Sequence, residues 1–95
     1  MSEVYYKALT DKYYKLLCLF EESNDGLTSF IHSLLYEIYG LRYYVENQDL
    51  AIVESLMLIL EHLYDDSLQA DYDISIIRRE IFHCMDLVKK LEGVK

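Results

Sequence analysis

The chain contains no proline, no tryptophan and only three glycines, so residues that interrupt helices and strands are scarce. This scarcity predicts long, regular elements. Cysteine is also rare: Cys18 and Cys84 stand in apolar surroundings, without a neighbouring cysteine or histidine at metal-ligand spacing. We interpret both as reduced thiols in the core, where free cysteines are usually found.

Basic residues are missing from a long central stretch. No lysine or arginine lies between Arg42 and Arg78, whereas the same stretch carries Glu46, Asp49, Glu54, Glu61, Asp65, Asp66, Asp71 and Asp73. The net charge of the whole chain is -8. Such a balance argues against binding to nucleic-acid phosphates or to an anionic membrane, both of which need clustered lysine and arginine. A positively charged protein is the partner that this stretch favours.

No targeting or membrane-spanning segment is apparent. The N-terminal residues are charged throughout, and no apolar run approaches the roughly 18 residues of a membrane span. The 95 residues, of which 53% are hydrophobic, predict a single domain over residues 1–95 with one compact core. We therefore expect a cytoplasmic protein.

Apolar and aromatic residues recur at helical spacing in four segments. These segments cover approximately residues 2–22, 28–45, 49–64 and the stretch from residue 75 to the C-terminal end, with a long connection at residues 65–73. No segment alternates with the period of two that strands require. The pattern predicts an all-α fold, an antiparallel four-helix up-down bundle.

Short polar residues mark the expected helix starts, with Ser2, Thr28, Asp49 and either Asp73 or Ser75 as candidate N-caps. The run from Ser23 to Gly26 should end the first helix, and Gly40 predicts a kink or an early end in the second. The third helix has few polar positions, so we expect it to be the most buried of the four.

Ten tyrosines are present, many of them in the doublets Tyr5-Tyr6, Tyr13-Tyr14 and Tyr43-Tyr44. Adjacent residues on a helix point roughly 100° apart, so one ring of each doublet can pack while the other meets solvent. We interpret most tyrosines as residues of the boundary between core and water. Tyr64 and Tyr72 flank the acidic connection and are the candidates for a protein interface, where tyrosine is enriched.

Patterns typical of catalysis are not found. Neither cysteine has a positive neighbour in sequence that would lower its thiol pKa, and no glycine-rich phosphate loop exists. The adjacent carboxylates of Asp65 and Asp66 could do acid–base chemistry, but a small bundle offers little cleft in which to desolvate them. The sequence predicts a protein without catalytic residues that is not an enzyme.

Histidines and carboxylates form two patterns that have the donor groups of a metal site. Glu80 and His83 have the Glu-x-x-His spacing of di-metal sites in helix bundles, but such a site needs a second copy, which the chain lacks. His62 lies beside Glu61 and within a turn of the Asp65-Asp66 pair, where a hydrated cation could be held. Exposed carboxylates at this spacing are usually just solvated, so neither a metal nor another cofactor is predicted.

Two strings in the acidic stretch resemble the immunity proteins of the colicin D type. They are Glu61-His62-Leu63-Tyr64-Asp65-Asp66 and Ala70-Asp71-Tyr72-Asp73-Ile74, and the resemblance extends weakly over roughly residues 27–92. Members of that family are small acidic four-helix proteins that protect a toxin-producing cell from its own nuclease. The colicin D toxin cleaves transfer RNA in the anticodon loop, and its immunity protein plugs the active site and covers the basic RNA-binding surface.

The resemblance implies roles for individual residues. Glu61 and Asp66 match acidic residues that the type member of the family places in the catalytic cleft of the toxin. Asp71 and Asp73 match the acids of its Asp-Tyr-Glu-Ile segment, and the tyrosine between them is shared. Asp65 departs from the pattern, because it stands where that relative has proline.

From these observations we predict an immunity protein that inhibits a cognate bacterial nuclease toxin, a tRNase by the resemblance, by plugging its basic cleft with an acidic surface that mimics RNA. The predicted partner-binding residues are Glu61, Tyr64, Asp65, Asp66, Asp71, Tyr72 and Asp73. The alternative is a non-enzymatic helical adaptor or regulatory protein, of phage or plasmid type, that binds a host protein through its tyrosine-rich helices. In that case Tyr13 or Tyr43 would be central contacts. The sequence leaves the oligomeric state open.

Overall fold

The computed structural model describes residues 3–94, with side chains from residue 5 to residue 91. These residues form α1 (Glu3–Glu22), α2 (Leu27–Leu41), a 3-10 turn (Asn47–Asp49), α3 (Leu50–Ser67) and α4 (Ile74–Val94). The all-α prediction is confirmed. None of the four helices formed by residues 3–94 is long and apolar enough to cross a lipid bilayer.

Each helix packs against its neighbours in sequence, and α4 packs against α1, so the order around the bundle is α1, α2, α3, α4. Contacts between opposite ends show that neighbouring helices run antiparallel. Thr28 at the start of α2 meets Ser67 at the end of α3, and Tyr72 just before α4 meets Phe20 near the end of α1. The bundle measures 39 × 21 × 21 Å. The predicted up-down arrangement is confirmed.

One stripe of each helix faces the bundle axis and forms the hydrophobic core. The largest side chains that are fully buried are Tyr13, Phe20, Leu9, Leu16, Ile31, Leu34, Ile38, Leu56, Leu60, Leu63, Ile77 and Ile81. Burial of an aliphatic or aromatic side chain of this size contributes about 1.5–3 kcal/mol, which is offset by the entropy lost on folding.

Helix α3 is not the most buried of the four, contrary to the prediction. Its buried residues are Val53, Leu56, Leu60 and Leu63, whereas the shorter α2 buries five. Leu58 is 67% exposed, and Ile52, Met57 and Ile59 are only partly buried. A helix at the corner of a bundle turns one stripe to the core, so apolar residues elsewhere on its circumference stay at the surface.

Helix α1 ends in a Schellman turn built on a serine. Ser23 has a φ of 51°, and its N–H donates to the carbonyl of Phe20 at 3.2 Å. The N–H of Asn24 donates to the carbonyl of Leu19 at 3.0 Å. This left-handed position usually holds glycine, which pays no steric penalty there. The predicted stop between Ser23 and Gly26 is confirmed.

The N-cap predictions have mixed outcomes. Asp73 is confirmed, because its Oδ1 accepts the N–H groups of Ser75 at 2.9 Å and Ile76 at 3.4 Å. Asp49 precedes α3 as predicted, but its buried side chain makes no capping hydrogen bond. Thr28 is wrong, because α2 begins one residue earlier, after Gly26. Ser2 lies outside the described residues.

The sequence predicts the end of α2 more accurately than the end of α3. Helix α2 ends at Leu41, directly after Gly40. Of the two predictions for Gly40, a kink or an early end of the helix, the early end is confirmed. Helix α3 instead continues past Tyr64 to Ser67, because neither glycine nor proline stops it. Asp65 and Asp66 therefore belong to α3, and the connection to α4 comprises residues 68–73 only.

The two cysteines differ in accessibility. Cys84 is completely buried, and burial raises the pKa of its thiol to about 12. Cys18 is exposed, so the expectation that both lie in the core is wrong for this residue. The stripe of α1 that faces the core passes through Leu16, Leu17 and Phe20 and leaves position 18 on the outer side.

We expect a water-soluble disulfide reagent to label Cys18 in the folded protein and Cys84 only after denaturation, because the thiolate is the reactive form and must be accessible. The released thiolate anion of the reagent, measured by absorbance, should correspond to one thiol per chain before denaturant and two after it. In the Cys18→Ser variant the native reaction should disappear. Rapid labelling of both thiols in the folded wild type would contradict the burial of Cys84.

Candidate protein-binding surface

The acidic residues singled out in the sequence meet at one end of the bundle. Asp66, Asp71 and Asp73 line a shallow cavity of about 260 Å³ between the end of α3 and the start of α4. Glu61 and Asp65 are exposed one helical turn apart on the outer side of α3. We call these five residues the acidic end. The structure therefore places three of the carboxylates around one cavity, and the other two are exposed near the same end of α3.

No lysine or arginine neutralises the acidic end within the part of the chain that the structure describes. Among the described residues, the ion pairs that involve lysine or arginine are Lys7–Asp11, Lys12–Glu37 and Arg78–Glu21. None of them includes a residue of the acidic end. Arg78 lies in the first turns of α4, but its guanidinium is held 2.6 Å from Glu21 on α1. The carboxylates therefore keep a negative field that attracts cations, which salt screens over roughly 8–10 Å.

Tyr72 anchors the connection instead of standing free for a partner. Its hydroxyl donates to the carbonyl oxygen of Phe20 at 2.6 Å and lies 3.1 Å from the hydroxyl oxygen of Ser23. Its ring also meets the Phe20 ring edge-on, with centroids 5.2 Å apart. These contacts tie the connection before α4 to the end of α1.

We expect Tyr72→Phe to lower the free energy of unfolding by about 1 kcal/mol, because one net hydrogen bond is lost while the Phe20 carbonyl keeps the N–H of Ser23 as a donor. Chemical denaturation followed by circular dichroism measures the change. Tyr43→Phe is the matched control, since the side chain of Tyr43 is 80% exposed. An equal effect of the two substitutions would show that the Tyr72 hydroxyl does not hold the connection.

Two further predicted contact residues also have structural partners. The ring of Tyr64 stacks on His32, with centroids 5.0 Å apart and planes inclined by 12°. Asp73 uses one carboxylate oxygen to cap α4. Glu61, Asp65 and Asp71 are the exposed members of the predicted set that make no side-chain hydrogen bond or ion pair with the other described residues. These three are the most available to a partner.

Exposed apolar side chains, which are not among the residues predicted from the sequence, border the acidic end. Leu58 is 67% exposed, Leu68 is 60% exposed and Ile76 is 45% exposed. Leu58 lies on the outer side of α3 with Glu61 and Asp65, by its helical spacing. Apolar residues ringed by polar ones are typical of the centre of a protein interface. The sequence does contain a signal for the exposure of Leu58, because this residue falls outside the stripe that runs through the buried leucines of α3.

An imidazole and two carboxylates connect α3 to α4 beside the cavity. His62 Nδ1 lies 3.0 Å from Glu80 Oε2 and 3.9 Å from Asp66 Oδ2. The hydrogen bond to Glu80 raises the pKa of His62 above its ordinary value of 6.5, and the charges of Glu80 and Asp66 add to the effect. In the sequence, Glu80 and His83 have the Glu-x-x-His spacing. In the structure, Glu80 contacts His62 on α3, whereas His83 is exposed.

The raised pKa of His62 can be measured directly. In nuclear magnetic resonance titrations with a chelator present, we expect its pKa to lie above 6.5 and to fall towards that value in Glu80→Gln. Because the folded state favours the protonated form, the stability that His62 contributes is present below its unfolded pKa and is lost as the pH rises through the folded value. The stability difference between wild type and His62→Gln should therefore be larger at about pH 5.5 than at about pH 8.5. A difference that grows with pH would reverse the assignment.

The opposite end of the bundle carries an aromatic surface. Tyr36, Tyr43 and Tyr44 are 75%, 80% and 81% exposed. Tyr36 and Tyr44 border an apolar cavity of about 550 Å³, whose floor includes Glu37 and Gly40. We call this region the tyrosine end. Glu37 is already engaged there, because it accepts hydrogen bonds from the Tyr5 hydroxyl at 2.7 Å and the Lys12 ammonium at 2.6 Å.

The two tyrosines proposed as central contacts of an adaptor differ in their exposure to solvent. Tyr13 is completely buried, so it cannot touch a partner, and that part of the alternative is wrong. Tyr43 is exposed, as the alternative requires. The expectation that one ring of a doublet packs while the other meets solvent is confirmed for Tyr13 and Tyr14, since Tyr14 is 50% exposed. It is wrong for Tyr43 and Tyr44, which follow the end of α2 and are both exposed.

Comparison of the chain with protein families, curated proteins and solved structures finds no match. The resemblance to colicin D-type immunity proteins stays a prediction based on the strings at residues 61–66 and 70–74. The geometry offers two surfaces of different chemistry, the acidic end and the tyrosine end.

Proposed function

We propose that this protein is a cytoplasmic, non-enzymatic immunity protein that inhibits a cognate bacterial nuclease, a tRNase by the resemblance, by covering its basic substrate cleft with the acidic end. The observation that carries the proposal is the presence of five carboxylates near one end of the bundle, three of them around one cavity, without a lysine or arginine partner among the described residues. A cleft that binds a nucleic-acid backbone holds lysine and arginine, which such an array complements.

The acidic end can mimic a backbone because its charges are held at fixed positions. Glu61 lies one turn of α3 before the adjacent residues Asp65 and Asp66. Asp71 and Asp73 lie in the connection between α3 and α4. The hydrogen bond of Tyr72 ties this connection to α1, and the Asp73 cap ties it to α4. Fixed anions lose little conformational entropy when a cation binds them.

The carboxylates divide into two groups with different expected contacts. In the proposed complex, Glu61 and Asp66 pair with the catalytic histidine or lysine residues of the nuclease, and Asp65, Asp71 and Asp73 with its substrate-binding bases. The apolar side chains of Leu58, Leu68 and Ile76, together with the accessible edges of Tyr64 and Tyr72, supply contact area. Charge thereby steers the encounter, while apolar contacts slow dissociation.

The test is inhibition of the nuclease encoded beside this gene, because a toxin and its immunity protein must be inherited together. An equimolar amount of this protein should stop cleavage of transfer RNA by the purified nuclease. Affinity should fall markedly as salt rises from about 50 to about 300 mM, since exposed charges are screened. Undiminished cleavage at equimolar concentration would refute the proposal.

A helical adaptor is the second candidate function, and the tyrosine end is the observation that favours it. Tyr36 and Tyr44 expose large rings beside an apolar cavity, and the neighbouring Tyr43 is also exposed. Tyrosine is enriched among residues that dominate binding energies. Binding through this end would depend little on salt and would be weakened by Tyr43→Ala or Tyr44→Ala. Binding through the acidic end would show the opposite pattern.

A further inference from the structure

Three side chains at the junction of α3 and α4 converge closely enough to share one metal ion. His62, Asp66 and Glu80 each offer a ligand atom, and these atoms all lie within 4.8 Å of one another. We propose that His62, Asp66 and Glu80 form a binding site for a divalent transition-metal ion, of which Zn²⁺ is the best representative. The site goes beyond the proposed function and needs no partner protein.

The distances suit a zinc ion after small side-chain rotations. His62 Nδ1 lies 3.0 Å from one oxygen of Glu80 and 3.9 Å from one oxygen of Asp66. Ligands at about 2.0–2.1 Å from a tetrahedral Zn²⁺ are separated from one another by roughly 3.3–3.4 Å. His62 and Asp66 are four residues apart on α3, so a helical turn already places them on one side of the helix.

The charge of the cluster favours a dication over a proton. Two carboxylates outweigh one imidazolium, so a net negative charge remains even when His62 is protonated. Glu80 Oε1 is withdrawn from solvent and has no hydrogen-bond partner among the described residues. A bound dication would neutralise both carboxylates, and a bidentate Glu80 would also give this buried oxygen a partner.

The donor set discriminates between metals. Calcium and magnesium take oxygen ligands almost exclusively, whereas imidazole suits zinc, copper, nickel and iron. One imidazole with two carboxylates is therefore a better set for Zn²⁺ than for Ca²⁺. His62 is close in sequence to the acidic residues of its own helix, but Glu80 is supplied by α4, and only the fold places it there.

The site has an entry path and room for further ligands. The side chain of His62 is 60% exposed, and His62 and Asp66 border the cavity that also contains Asp71 and Asp73. A water molecule bound from this cavity would complete four-coordination. Because the ligands come from two helices, a bound ion would join α3 to α4 and stabilise the folded state.

Isothermal titration of the metal-free protein with zinc chloride tests the proposal. We expect one Zn²⁺ per chain in the wild type. His62→Ala and Glu80→Gln should each weaken binding at least about tenfold, since even the loss of an outer-shell group commonly costs 10–100-fold. His83→Ala is the matched control, because His83 is an exposed histidine on α4 outside the cluster, and it should bind like the wild type.

A second measurement separates a built site from diffuse attraction to negative charge. Zn²⁺ should raise the melting temperature of the wild type and of His83→Ala but not that of His62→Ala, and Ca²⁺ should bind more weakly than Zn²⁺. Melting curves without metal verify that each variant folds, and Asp66→Asn replaces any variant that does not. Equal Zn²⁺ affinity in the wild type and His62→Ala, or equal affinity for Ca²⁺ and Zn²⁺, would overturn the proposal. Neither result depends on whether a nuclease is inhibited.

Discussion

Reversing two charges on the outer side of α3, in the variant Glu61→Lys/Asp65→Lys, is expected to abolish inhibition of the nuclease. Truncating one member of a buried interfacial charge pair costs about 2–5 kcal/mol, and reversing the charge adds repulsion from the basic cleft. We expect the dissociation constant to rise at least about a thousandfold, which corresponds to roughly 4 kcal/mol. The fold should be unaffected, because neither side chain makes a hydrogen bond or ion pair with the other described residues.

Binding titrations at low and moderate salt measure this effect. The control is Glu46→Lys/Glu54→Lys, which makes the same change of charge at exposed positions nearer the opposite end of the bundle. This control should retain most of the affinity, since only long-range attraction is reduced. If both double variants lost the same affinity, total charge would decide binding and the acidic end would have no special role.

The largest effect on stability is expected from Tyr13→Ala. Tyr13 is completely buried in the interface between α1 and α4, and removing its ring leaves a cavity among well-packed side chains. Replacing a buried aromatic residue by alanine typically costs 3–5 kcal/mol, a large share of the roughly 5–15 kcal/mol that stabilises a domain. The melting temperature should fall by about 12–30 °C.

The matched control, Tyr13→Phe, isolates the hydroxyl from the ring. The Tyr13 hydroxyl is buried beside the Cys84 thiol, and burial, together with that thiol, raises the pKa of the hydroxyl well above its ordinary range. Removing the hydroxyl should change the free energy of unfolding by less than about 1 kcal/mol, because a thiol is only a weak hydrogen-bond partner. Tyr14→Ala, at a half-exposed position on the same helix, should cost much less than Tyr13→Ala. A loss in Tyr13→Phe as large as that in Tyr13→Ala would show that the hydroxyl, and not the ring, stabilises the core at this position.

Helical periodicity predicted the fold because nearly every apolar stripe in the chain has a single period and few residues interrupt it. The sequence pattern predicts an end of α3 at Tyr64, three residues too early, because the apolar stripe stops there and Asp65 and Asp66 follow. Acidic residues near a helix C-terminus also oppose the helix dipole. That unfavourable charge is small beside the packing of Leu60 and Leu63, which holds the last turns against the core. Tertiary packing therefore outweighs local propensity at the end of α3, as it does in most helices.

The acidic end could be predicted because its members are close in sequence, so that any compact fold keeps them together. The other features of this end depend on which helices face each other. The contact of Tyr72 with Phe20 spans 52 positions in the chain, and that of His62 with Glu80 spans 18. Nothing in the local pattern identified either pair. The exposure of Leu58 follows from its position outside the buried stripe of α3, and Leu68 lies in the connection after that helix.

The serine in the left-handed turn after α1 limits how this bundle can be thermostabilised. Glycine at position 23 would remove a steric cost of about 1 kcal/mol, a standard route to a more stable turn. It would also delete the hydroxyl that lies 3.1 Å from the Tyr72 hydroxyl. Alanine would keep the steric cost and lose the hydroxyl as well. An engineer should therefore leave Ser23 unchanged and look for added stability in the half-exposed apolar positions of α3.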